Sequence, residues 1–308
     1  MGLEGHGQRR GWGFAACALA SSFWGCGFFF GKIALEEMGS QYMVLYRFLF
    51  ALLALAPLLV THRPSLSRKD WGLLAVASFL GVPVQFLIQF YGLSLTTVSH
   101  ASLMVGMMPV ILAVGAVMFA GERMDGIGWA ALVASTTGAA LIALSGRGGH
   151  GAGGASLAGD MLVVVSLMIA LFWILLNKRL MGRQSHVVVT AYGLAIGTAM
   201  LLVWVPLRYG MPPVHGISGK AWAALAASGV LCTATTTLLW NWGMTQVPAS
   251  EAGVLLNMEP LIGSLLGVLV LRERLGPGAW VGGAMILLAA VTLTTRGQRK
   301  RVLEGQAA

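Results

Sequence analysis

The sequence predicts an all-α integral membrane protein, with ten transmembrane helices arranged as two five-helix inverted-topology repeats. Three observations predict it. Hydrophobic residues make up 57% of the chain against 10% charged, with a mean hydropathy of +0.79, which leaves too few polar groups to clothe a water-soluble domain. Apolar runs long enough to cross a hydrocarbon core of about 30 Å, roughly 20 residues each, recur ten times. The second half of the chain also repeats features of the first in a constant register.

The first run, Trp12–Leu35, follows Arg9-Arg10 and contains Ala18-Leu19-Ala20, a pattern that resembles a secretory leader. The run continues through Phe23-Trp24 to Ile33, so cleavage after Ala20 would leave half a span; it reads as a membrane helix. The following runs are Gln41–Thr61, Trp71–Leu93, Thr97–Ala120 and Ile127–Ser145. After them come Leu157–Leu180, His186–Leu207, Lys220–Thr245, Val247–Leu271 and Pro277–Thr295. Almost nothing separates the third run from the fourth, or the eighth from the ninth, which predicts tight hairpins. Between the two halves lies SGRGGHGAGGAS, too rich in glycine and too poor in apolar groups to form structure of its own. The expected organisation is a first repeat over 1–145, a Gly-rich linker over 146–156, a second repeat over 157–296 and a basic cytoplasmic tail over 297–308.

Lys and Arg counts set the orientation, because the richer side stays in the cytoplasm. With both ends inside, thirteen fall on cytoplasmic segments and six on the other face, leaving Arg47 within a span. The net charge of +9 therefore resides in short loops, and nucleic acid is not an expected partner. Cys17, Cys26 and Cys232 all lie in apolar runs without metal-ligand spacing and read as buried thiols. No metal and no cofactor is expected.

A shift of 151 residues places Ser99 on Ser250, Pro109 on Pro260, Glu122-Arg123 on Glu273-Arg274 and Trp129 on Trp280 without a gap. This reads as a duplicated five-span unit. An odd number of spans forces the second copy to enter the membrane from the opposite side, the arrangement used by alternating-access transporters.

The tail Pro-x12-Glu-Arg-x5-Trp, present in both halves, and Tyr46-Arg47-Phe48 near the start of the second span resemble the drug/metabolite transporter superfamily, and within it the EamA-type bacterial metabolite exporters. The resemblance spans Trp12–Thr295. It implies a basket of helices around a central cavity, the fifth and tenth helices supporting the fourth and ninth. It also implies export of small metabolites, amino acids among them, across a bacterial cytoplasmic (inner) membrane.

The candidate site residues are polar or aromatic groups at unusual depth. Glu259 stands halfway along the ninth run beside Pro260; it suits a proton or a substrate ammonium, or equally a bond to neighbouring hydroxyls or to carbonyls freed by the proline. Glu251 and His100 hold equivalent positions at the starts of the ninth and fourth helices, where capping and coupling are both open. Gln85 and Gln89 share one face of the third span, suited to a zwitterion or to interhelical bonding. Thr237 and Asn241 form a similar stripe on the eighth, and Asn257 accompanies Glu259. Trp24 and Trp173 are equivalent tryptophans well inside the bilayer, suited to a cavity wall or to packing. Arg47 could bind a substrate carboxylate, snorkel outwards, or pair with Glu36 or Glu37. Lys32, one turn from Glu36, reads as interfacial.

Substrate contact is assigned to Trp24, Gln85, Gln89, Trp173, Thr237, Asn241, Asn257 and Glu259, and coupling or gating to Arg47, His100 and Glu251. The expected partners are a small-molecule substrate, the lipid bilayer and protons, with the chain acting as a monomer. GxxxxGK[ST], GxSxG and HExxH are absent from the sequence, so ATP hydrolysis and intramembrane hydrolysis have no motif to support them.

Overall fold

The structure, a computed structural model, describes residues 2–120, 126–145, 155–246 and 255–306. Glu122-Arg123, most of the Gly-rich linker and Glu251 lie outside the described residues. Every regular element among them is helical. Eight helices are long and apolar enough to cross a membrane, and Met258–Leu269 and Pro277–Thr292 are shorter apolar helices. The protein is thus an integral membrane protein built as expected from its apolar runs.

Helix starts fall where short polar side chains satisfy first-turn amides. Ser67, Thr97, Ser156, Ser185 and Ser218 each accept a backbone N–H from the turn they cap. The first helix runs from Gly2 through Leu35 and the last from Pro277 through Gln306, so both continue beyond their apolar runs. Residues 297–306, expected as a separate tail, extend the tenth helix.

Four spans are irregular, in two equivalent pairs. The third, Arg68–Ser94, contains a π-helical turn at Leu80–Val84, and the eighth contains one at Val230–Thr235. The 151-residue shift carries one onto the other, although only the first contains a proline, Pro83. The fourth span divides into Val98–Val105 and Met108–Ala120. The ninth has a turn at Leu256-Asn257 before Met258–Leu269. Both breaks precede the repeated prolines. A proline lacks an N–H and its ring crowds the carbonyl four residues back, so the chain tightens there into three-residue turns. Gly106 N–H donates to Leu103 O at 3.1 Å and Met107 N–H to Met104 O at 3.0 Å; Glu259 N–H donates to Leu256 O at 3.1 Å.

Packing follows the repeat. The first span packs on the eighth and the third on the sixth, which are equivalent pairs, while second and seventh, fourth and ninth, and fifth and tenth each pair with their own counterpart. Such pairing is that of two copies related by a pseudo-twofold axis. The fifth and tenth approach closely: a Cβ at Gly138 would lie 2.6 Å from the Gly282 carbonyl oxygen. Only glycine permits this helix separation.

Candidate functional site

Arg47 is buried, with 4% of its surface exposed, and lies inside the protein. Its Nε donates to Thr233 Oγ1 at 2.8 Å and its Nη2 to the Cys232 carbonyl at 3.2 Å. The π turn of the eighth span presents these acceptors, so a deviation from α-helical winding positions the arginine. The guanidinium also lies 5.0 Å from the centroids of both Phe86 and Phe90. Cation–π attraction suits an ion removed from water. The alternatives of snorkelling outwards or pairing with Glu36 or Glu37 are both corrected: the start of the second helix is packed too deeply for the side chain to reach a loop. Glu37 instead accepts from Ser218, whose backbone N–H donates at 2.6 Å and whose hydroxyl donates at 2.5 Å.

Glu259 sits one residue into the helix that follows the break in the ninth span and is partly exposed. Among the described residues neither its carboxylate nor the Arg47 guanidinium is in contact with a partner of opposite charge. The first and ninth spans meet at this level, where a Cβ at Gly25 would lie 2.6 Å from the Glu259 carbonyl oxygen. Trp24, next to Gly25, faces Trp240 with ring centroids 5.4 Å apart. Trp24, Arg47, Phe86, Phe90, Thr233 and Glu259 therefore belong to one central region drawn from five spans.

The repeat is chemically asymmetric here. The 151-residue shift sets Thr233 opposite Val82, Asn257 opposite Gly106 and Glu259 opposite Met108. Arg47 of the first half reaches across to the polar groups of the second. This gives the region a cation, a carboxylate and aromatic walls.

The other predicted residues divide. Gln85 and Gln89 are buried at 7% exposure, and among the described residues neither side chain has a hydrogen-bond partner; Gln85 Oε1 is fully enclosed. The interhelical-bonding alternative is thus not realised. Trp173 packs its indole onto Gly81 in the π turn of the third span, away from Trp24. Asn241 donates to Thr190 Oγ1 at 2.8 Å, tying the eighth span to the seventh. The Thr237 hydroxyl donates to the Thr233 carbonyl at 2.6 Å within its own span. Asn257 is buried in the turn ahead of Glu259. A separate crevice of about 390 Å³ lies between the second, third and seventh spans, lined by Ser40, Gln41, Leu87, Ile88, Tyr91 and Tyr209.

His100 belongs to a second cluster, at the end of the bundle that carries the 36–39, 95–97 and 210–218 connections. Its Nδ1 lies 3.0 Å from Asp160 Oδ2, and the Thr96 hydroxyl donates to Asp160 Oδ1 at 2.6 Å. His100 and Asp160 are both buried. Lys32 Nζ donates to the carbonyls of Leu93 at 3.0 Å and Thr96 at 2.5 Å, at this same end of the bundle. Ser99 and His100, sequence neighbours, face Glu273 and Asp160 respectively and do not form a dyad. Asp160 and Glu273 were not legible as members of a cluster. Asp160 stands in the first turn of an apolar helix capped by Ser156, where the helix dipole accounts for an acid without further purpose.

Comparison with known proteins decides the family. The model of the EamA-like transporter family matches residues 11–144 and again residues 157–295. The chain belongs to the EamA-like transporter family. Its two matched segments are the two repeats. An uncharacterized transporter of Archaeoglobus fulgidus is 26% identical over 92% of this chain and 97% of its own length. A protein of Streptantibioticus cattleyicolor, named a probable terminal-alkyne amino-acid exporter, is 26% identical over 91% of this chain and 93% of its own. The transporter YetK of Bacillus subtilis, also uncharacterized, is 22% identical over 89% of this chain and 84% of its own. A crystal structure with 17% sequence identity superposes with a TM-score of 0.65 over 93% of this chain and 98% of that one, which shows the shared fold. The family and these relatives are named as transporters, not enzymes. This EamA-like protein is accordingly a transporter, with a small-molecule substrate and a lipid environment.

Proposed function

We propose that this transporter exports small amphipathic metabolites, amino acids foremost, by alternating access across a bacterial cytoplasmic membrane, with both ends of the chain in the cytoplasm. The observation that carries the reading is the buried Arg47 guanidinium, held inside the bundle by Thr233 and the Cys232 carbonyl and packed near Gly27 of the same first-span stretch whose Gly25 meets Glu259. A guanidinium and a carboxyl group in one central region suit the carboxylate and ammonium of a zwitterion. Phe86, Phe90, Trp24 and Trp240 supply apolar surface for a side chain. Gln85 Oε1, enclosed and unpartnered, is a further acceptor for an ammonium.

The name of the Streptantibioticus relative supports the substrate class, and the excess of Lys and Arg on one set of loops supports the orientation. Energy comes from a gradient, with protons as the coupling ion through Glu259, His100 or Glu251. The chain acts as a monomer whose two repeats rock against each other. The test is counterflow in proteoliposomes loaded with unlabelled amino acid, following entry of the labelled form. Accumulation that disappears in Glu259→Gln and Arg47→Met supports the proposal; failure of every amino acid to exchange removes the substrate class. If neutralising Glu259, Glu251 and His100 together leaves pH-gradient-driven flux unchanged, proton coupling is abandoned.

A further inference from the structure

The repeated Glu-Arg pair marks the end of the fourth and ninth spans, yet neither the central region nor the family assignment says what its glutamate does. In the second copy the answer is geometric. Glu273 reaches across the repeat boundary to the start of the fourth span, 174 and 175 residues away in sequence. Oε1 accepts the Val98 N–H at 2.7 Å, while Oε2 accepts the Ser99 N–H at 2.7 Å and the Ser99 hydroxyl at 2.6 Å. Both carboxylate oxygens are thus occupied by donors of one helix turn. The positive end of the helix dipole faces the same charge.

The backbone is contorted to make this contact. Arg272, just before Glu273, has φ 56°, the one non-glycine positive value among the described residues. That conformation costs an L-residue free energy and persists only where surroundings enforce it. The Glu273 N–H donates to the Gly267 carbonyl at 3.0 Å, folding the chain back on its own helix. Gly267 also leaves room for the partner: a Cβ there would lie 2.9 Å from the Ser99 nitrogen and would meet the Glu273 carboxylate.

The element held down is suited to move. Val98–Val105 is a two-turn helix bounded by the 95–97 connection and the break at Gly106-Met107. Its start is also tied to the sixth span through His100 and Asp160, and the preceding carbonyls to the first span through Lys32. Three other spans therefore converge on one half-helix of the fourth.

We infer that Glu273 is the latch of a gate at this end of the bundle: by capping the first turn of Val98–Val105 it holds the fourth and ninth spans together and closes the path from the centre, and its release opens that path. The inference rests on the alternating-access reading. It assigns to Glu273 a positioning role, with no contact to substrate.

The test reads accessibility instead of flux. Ser102, fully buried one turn below the latch, is replaced by cysteine in a chain whose Cys17, Cys26 and Cys232 are alanine. A membrane-impermeant maleimide is then added from the side of the 95–97 connection. Losing a charge-assisted tie shifts a two-state equilibrium by about tenfold or more, so Glu273→Gln is expected to raise the labelling rate by about that factor, with Glu273→Asp regaining part of it. Gly267→Val, which keeps the charge but props the helices apart, is expected to raise it too. A Glu273→Gln protein that elutes as a folded peak and labels no faster than its parent overturns the latch. Should Glu273→Gln fail to fold, Gly267→Val decides, and an unchanged rate again overturns it. Faster labelling in a protein that exchanges no amino acid leaves the latch standing and removes only the proposed substrate.

Discussion

Arg47→Met separates a structural arginine from a transporting one. The substitution removes a bond to Thr233 Oγ1 at 2.8 Å, a longer one to the Cys232 carbonyl at 3.2 Å, and two cation–π contacts at 5.0 Å. Hydrogen bonds to a charged group contribute about 1.5 kcal/mol or more each, and desolvated cation–π contacts about 1 kcal/mol each, so the gross loss is about 5 kcal/mol. Against it stands the desolvation of a guanidinium without a contacting carboxylate, itself several kcal/mol. Methionine fills similar length, lies well between Phe86 and Phe90, and does not bear that cost. The two sums nearly cancel, and stability should change by less than about 2 kcal/mol. Counterflow should nevertheless fall by at least about tenfold, because on the proposed function a substrate carboxylate loses the one buried cation among the described residues. The assays are thermal unfolding followed by tryptophan fluorescence in detergent and exchange in proteoliposomes. A variant that unfolds several kcal/mol too easily while the folded fraction transports normally would show Arg47 to be a strut and refute the reasoning.

Further outcomes follow from the same contacts. Asp160→Ala leaves His100 and the Thr96 hydroxyl buried without their acceptor and should cost about 3–5 kcal/mol, with the double variant carrying His100→Leu as well recovering part of it; unfolding midpoints check both. Gly81→Val drives a side chain into the Trp173 indole and should lower stability and shift tryptophan emission, whereas Gly72→Ala, inside a helix with nothing near its added Cβ, should leave emission unchanged and not lower stability. Hydrogen bonds from Ser218 hold the Glu37 carboxyl below the usual carboxylate range. The stability it contributes is present above the unfolded value of about 4.3 and fades as pH falls through the lowered folded value; Glu37→Gln should flatten that part of an acid unfolding curve.

Much of the fold was legible because hydrocarbon imposes a simple rule. Backbone polar groups must be satisfied within each segment, so apolar length alone locates helices and a constant 151-residue register reveals the duplication. The π turns were not legible: Pro83 hints at one, while Val230–Thr235 contains no residue that breaks a helix. Site residues were legible as chemical types at depth and less so as partners. Thr237 and Asn241 looked equivalent to Gln85 and Gln89, yet the first pair finds acceptors in the protein and the second does not. Glu273 looked like the polar end of a span and proved to be a cap for a helix in the other repeat.

The sequence by itself determined the membrane setting, the number of spans, the duplication and the family, since each depends on composition or on spacing along the chain. Only the tertiary structure decided that Arg47 turns inward to Thr233 instead of outward, that His100 faces Asp160, and that Glu273 holds Ser99. These contacts join residues 60 to 186 positions apart. Their geometry depends on two helix breaks, two π turns and a left-handed arginine, which shift side chains by a fraction of a turn. Spacing rules for regular helices carry no information about such departures, and a buried charge takes whichever partner the packed helices present.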